Sequence, residues 1–177
     1  MAATINLIGW YGADAATKAG SCTAIAFMNV ATAGNPDLED AACQITNAIT
    51  IPGTATCAYS FTKAISACLS VAPTNYVKNF QIWGAFPAQT PPTGTCVMYG
   101  TAASGSGVTP TATANTVTTD YNDATSGAKA TWDAASYAAA TCSTAYLNLQ
   151  LQVNNTACVG TWGGANGCAL NYSYDEA

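Results

Sequence analysis

Eight cysteines and no histidine decide much of the chemistry open to this sequence. Cys22, Cys43, Cys57, Cys68, Cys96, Cys142, Cys158 and Cys168 include no C-x-x-C pair, so the spacings that hold zinc or run thioredoxin-like exchange are missing. An even count without metal spacing points to four disulfides, and disulfides to an oxidising compartment. Pairing between neighbours along the chain is the simplest expectation, with Cys158 and Cys168 across the glycine-rich VGTWGGANG as its clearest case. A nucleophilic cysteine would need a nearby cation or base to lower its pKa, and only four lysines accompany the eight thiols.

Other catalytic arrangements are equally poorly supplied. Without histidine there is no Ser-His or Cys-His pair, and the usual general base near neutral pH is missing. Lys18, Lys63, Lys78 and Lys129 sit in no S-x-x-K pattern. Asp14, Asp120, Asp123 and Asp133 could furnish a glycosidase pair, which makes a glycoside hydrolase the third-ranked reading. TDYNDATSG gathers Asp120, Asn122 and Asp123, yet lacks the calcium-loop spacing and its distal glutamate, so an Asx-turn is expected there. No phosphate loop and no dinucleotide fingerprint occur, and no cofactor or metal is implied.

Recognition offers more than catalysis. In YLNLQLQVNN, residues 146–155, leucines alternate with Asn148, Gln150 and Gln152, an uncharged amide row expected on the outward face of a half-buried strand. KNFQIWG repeats the habit, with Phe80 and Ile82 on one side and Asn79, Gln81 and Trp83 on the other. An indole beside carboxamides suits sugar stacking, and it equally suits a subunit contact, because amides pair without the desolvation cost of burying ions. The sequons at Asn154 and Asn171 are candidate N-glycosylation sites.

Composition favours the contact. Only 7% of residues are charged, against about 25% in ordinary soluble chains. Without arginine or a lysine cluster, nucleic acid is excluded as a partner. No apolar run approaches the roughly 18 residues of a membrane span. The start, MAATINLIGWYG, lacks a basic segment followed by an apolar one, so either a leader has been removed or export follows another route, with removal the favoured expectation. ATINLIGWYG is itself an apolar strand without protective charge or proline. It is expected to complete the chain's own sheet; the alternative is insertion into a neighbour, with Ile5 and Leu7 filling pockets.

The elements that must position these residues read as strands near 3–11, 23–29, 54–62, 76–84, 94–101, 111–119, 128–133, 143–154 and 167–174, separated by Gly, Pro, Ser, Thr and Asn clusters. One helix is expected after Asn35-Pro36, with Asp37, Glu39 and Asp40 in its first turn and an apolar stripe running to Ile49. Residues 63–71 are ambiguous between helix and strand, and 134–140 could form a helical turn. The expectation is one disulfide-stabilised all-β domain over 1–177, a β-sandwich of immunoglobulin-like or jelly-roll-like type with eight or nine strands and one short helix. The composition resembles that of exported surface-assembly proteins, without a defining motif from which residue roles could be carried over. The leading functional expectation is a non-enzymatic extracellular subunit that assembles with its own copies into a pilus-like filament, a surface layer or a virion shell. A carbohydrate-binding module, with glycans as partners, ranks second.

Overall fold

The computed structural model describes residues 2–11, 17–21, 49–54, 57–60, 62–85, 93–102, 119–120, 127–157 and 169–177. The expected helix after Asn35, the strand at 23–29, most of that at 111–119, and Asp14, Asp123, Cys22, Cys43, Cys158 and Cys168 lie outside the described residues. Within them the protein is all-β, with two antiparallel sheets and no helix.

The larger sheet contains β1 (Thr4–Tyr11), β2 (Thr17–Ser21), β3 (Ala58–Tyr59), β4 (Lys63–Val71), β6 (Thr95–Ala102), β7 (Thr119–Asp120) and β9 (Tyr146–Val153). Their order is β2-β1-β4-β9-β6-β7, with β3 also paired to β9. The smaller sheet runs β10-β5-β8, from β5 (Val77–Ala85), β8 (Ala130–Asp133) and β10 (Ala169–Glu176). Residues 63–71, ambiguous in sequence, form a strand, and 134–140 form no helical turn.

Alternation decides which side chains meet between the sheets. Ile65, Ala67 and Leu69 of β4 stand beside Leu147 and Leu149 of β9 and Val97 of β6, and Val77, Phe80 and Ile82 of β5 with Trp132 of β8 join the same hydrophobic cluster. Phe80 is its aromatic hub, with ring centroids 5.5 Å from Trp132, 6.0 Å from Tyr137 and 6.2 Å from Tyr174. A large apolar side chain buried this fully contributes about 1.5–3 kcal/mol. β4 explains its own ambiguity: Ala64, Ser66 and Cys68, on its other face, are buried too, so small residues replace the polar half of the expected alternation.

One crosslink fixes the centre of the larger sheet. Segment 141–143 runs beside β4, where Leu69 N donates to Thr141 O at 2.9 Å and Ser143 N to Ala67 O at 2.7 Å. That places Cys142 opposite Cys68, and the two form a disulfide. This bond replaces the expected neighbour pairing, which required Cys57 with Cys68 and Cys96 with Cys142. Sheet order brings the approach to β9 alongside β4, and this tertiary adjacency, across a sequence separation of 74, overrides proximity along the chain.

Candidate functional site

The two amide rows read from the sequence have different fates. On β9, Asn148 and Gln150 are fully buried, and Gln152 is half-buried. Gln150 Nε2 donates to Ser60 O at 2.8 Å, and Gln152 Nε2 to the Cys57 sulfur at 2.9 Å. Asn148 lies between Ala64 of β4 and Gly100 of β6, and neither end of its amide has a hydrogen-bond partner among the described residues. The expected outward row is therefore largely covered within the chain itself. Alternation separates two faces of a strand, but it does not say that the polar one meets solvent.

The β5 row faces outward. Phe80 and Ile82 have no exposure, while Asn79, Gln81 and Trp83 are half-buried on the opposite face. Between Gln81↔Ser173 and Lys78↔Asp175, two residues of β5 oppose one of β10, a bulge whose Asn79 has φ 54°. Asparagine tolerates that left-handed conformation better than most side chains. Asn79 Nδ2 then reaches Asp175 Oδ2 at 2.6 Å, tying the bulge to β10.

Flanking strands complete the surface. Gln81 Nε2 donates to Thr131 Oγ1 of β8 at 3.3 Å, and Ser173 Oγ of β10 donates to Gln81 Oε1 at 3.5 Å. Lys129 crosses the sheet to donate from Nζ to Ser173 Oγ at 3.0 Å, and the same ammonium stands 4.6 Å from the centroid of the Trp83 ring. That contact is a cation–π interaction, and it occupies one face of the indole. Asn171 pairs in register with Trp83. The result is a face of amides, hydroxyls and one indole, with Lys129 near its middle and Asp175 at its end. It can form hydrogen bonds and stack; it holds no nucleophile–base pair.

Ile5 and Leu7 lie on β1, which is inserted between β2 and β4 of the chain's own sheet, and both pack against the core. On the other face of β1, Trp10 Nε1 donates to Ser66 Oγ at 2.6 Å, and its ring meets Tyr146 edge-on at 5.9 Å. Cys57 is a half-buried free thiol. Its neighbour Tyr59 has its pKa raised, by burial first and then by Cys57. Cys96 is half-buried, with its sulfur 3.4 Å from that of Met98.

The two sequons differ. Asn154 follows β9 in a turn, where its Oδ1 accepts from Thr156 N at 2.9 Å and from Thr156 Oγ1 at 2.7 Å, and Asn155 and Thr156 are exposed. Gly94 lies under this turn at φ 79°, where a Cβ would sit 2.5 Å from the Ala157 nitrogen. Asn171 lies inside β10, within the ladder to β5.

Asp133, a candidate carboxylate, is spent on structure. It is buried; Oδ1 accepts from Ala135 N at 2.8 Å, and Oδ2 accepts from the Tyr137 hydroxyl at 2.7 Å and Ala145 N at 3.4 Å. Tyr137 in turn accepts from Thr144 N at 2.8 Å. Burial pushes the Tyr137 hydroxyl up from its ordinary pKa, Asp133 adds to the rise, and the Thr144 contacts oppose it. The sequence showed the acid but not the tyrosine four residues on that closes the loop over it. Among the described residues no three His, Cys, Asp or Glu side chains gather as a metal site.

No protein-family model, no curated protein and no solved structure matches the chain.

Proposed function

We propose that the chain is a single-domain β-sandwich subunit, working outside the cell, that assembles with its own copies into a filament, surface layer or virion shell and carries out no catalysis. The observation that carries this reading is the outer face of the smaller sheet. Trp83, Gln81, Thr131, Asn171 and Ser173 present hydrogen-bonding and stacking groups that a second copy can cover, and the one ammonium among them, Lys129, is already held by Ser173 and the Trp83 ring. With four basic and nine acidic residues, 13 of 177 in all, the chain also has little of the surface charge that keeps monomers apart. The disulfide supports an oxidising location.

Carbohydrate binding is the second reading, favoured by the indole lying among amides. Against it, the Lys129 ammonium occupies one face of the ring that a sugar would stack upon. Trp83→Glu separates the two. Self-assembly predicts a rise of at least tenfold in the concentration at which light scattering detects association. A lectin-like module predicts monomers throughout, with glycan-array binding present in the unaltered protein and lost in the variant.

A further inference from the structure

We infer that two copies join edge to edge through β10, antiparallel, with Ser173 of one strand opposite Ser173 of the second copy. The inference rests on the self-assembly reading and assigns one of its contacts to a particular strand.

Among the described residues β10 pairs only with β5 and stands at one edge of the smaller sheet. Natural edges are commonly protected by proline, lysine or an inward charge. Ala169–Glu176 contains no proline and no lysine, and its acids lie at the last two positions. Tyr172, 36% exposed, is the exposed large hydrophobic side chain of the described residues, and it sits in the middle of this edge.

The order of side chains along β10 suits a second copy in one orientation. Parallel pairing would set Asp175 and Glu176 against their own copies, and like charges directly opposite are destabilising. Antiparallel pairing sends them to opposite ends of the seam. On the outer face β10 presents Asn171, Ser173 and Asp175 at alternate positions. With Ser173 at the two-fold axis, Asp175 falls opposite Asn171 of the second copy, and the same pair recurs on the other side of the axis. A carboxylate accepts and an amide donates there, the chemistry already seen between Asn79 and Asp175 at 2.6 Å. The same register sets Tyr172 opposite Tyr174 of the second copy on the other face. Lys129, held at Ser173, contributes one positive charge per copy beside the axis, and Asp175 one negative charge beyond it, so these charges cancel across the seam. Such a two-fold contact is closed, and growth beyond the pair falls to the outer face described above.

The test uses the full chain carrying Ser173→Cys under mild oxidation. A disulfide-linked dimer is expected whose bond maps by mass spectrometry to residue 173 of both copies. It should be absent from the unaltered protein and from Asn171→Cys, where the residue faces Asp175 instead of itself. Independently, Tyr172→Lys should raise the dimerisation concentration at least tenfold. No covalent dimer above the level of the unaltered protein, a bond mapping to any other cysteine, or an unchanged dimerisation concentration in Tyr172→Lys would each overturn the edge contact. If the unaltered protein still associates in those cases, self-assembly stands and only the edge is wrong. An unaltered protein that stays monomeric at every concentration overturns both.

Discussion

At Asn148 a carboxamide is fully buried with both ends unpartnered among the described residues, in a row flanked by alanine and glycine. A buried polar group left so costs about 1–3 kcal/mol, and replacement by an apolar group of similar shape removes the cost. Asn148→Leu is therefore expected to raise unfolding free energy by about 1 kcal/mol in chemical denaturation. Gln150→Leu should do the reverse, because it strips the Ser60 carbonyl of a 2.8 Å partner. Tyr137 is the second residue on which stability turns. Tyr137→Phe deletes a donor to a buried carboxylate and leaves Thr144 N–H without its acceptor, a loss of about 1.5–3 kcal/mol. The folded pKa of Tyr137 lies above its unfolded value, so the folded protein holds this proton more tightly. That contribution is complete below about pH 10 and is lost as pH rises through the folded pKa. Alkaline unfolding should accordingly be shallower in Tyr137→Phe than in the unaltered chain.

The elements differ in how openly the sequence declares them. β1, β5, β6, β8, β9 and β10 follow from alternation and turn residues, because each has one face made of core residues. β4 hides its type because it is covered on both sides, and β2, with Thr, Lys, Gly and Ser, carries no apolar period at all. The same physics divided the candidate site. Trp83 and Gln81 were legible because β5 lies in an outer sheet with one face free of the core. Asn148 and Gln150 were misplaced because β9 lies inside the larger sheet, and burial of its second face is a tertiary fact. The neighbours of Trp83 and Gln81 from elsewhere in the chain, Lys129, Thr131 and Ser173, could not be assembled without the register. The Cys68–Cys142 bond likewise follows from strand order and not from spacing along the chain. It closes 74 residues of separation, and loop-entropy arguments give such a link about 4 kcal/mol. Cys142→Ala should lower unfolding free energy by about 2–5 kcal/mol in denaturant titrations without reductant.

For the whole molecule, the scarcity of charge sets the behaviour. With no histidine, nothing among the side chains has an unperturbed pKa between the carboxylates and the thiols. Stability and association should then vary little from about pH 5.5 to 7.5, and denaturant midpoints across that range test it. Salt should matter little too, since the proposed contact is built mainly of amides, hydroxyls and an indole, with Lys129 and Asp175 as its few ions to screen. The same poverty of charge that argues against nucleic acid leaves few ions to desolvate between copies, while the net charge of -5 is a repulsion that their contacts must overcome. The most direct measurement is electron microscopy with static light scattering on the non-reduced protein over a concentration series. Ordered filaments, sheets or shells, with mass rising as concentration rises, are the predicted result. A monodisperse species at the 17.9 kDa mass of one chain, at every concentration, would contradict the account.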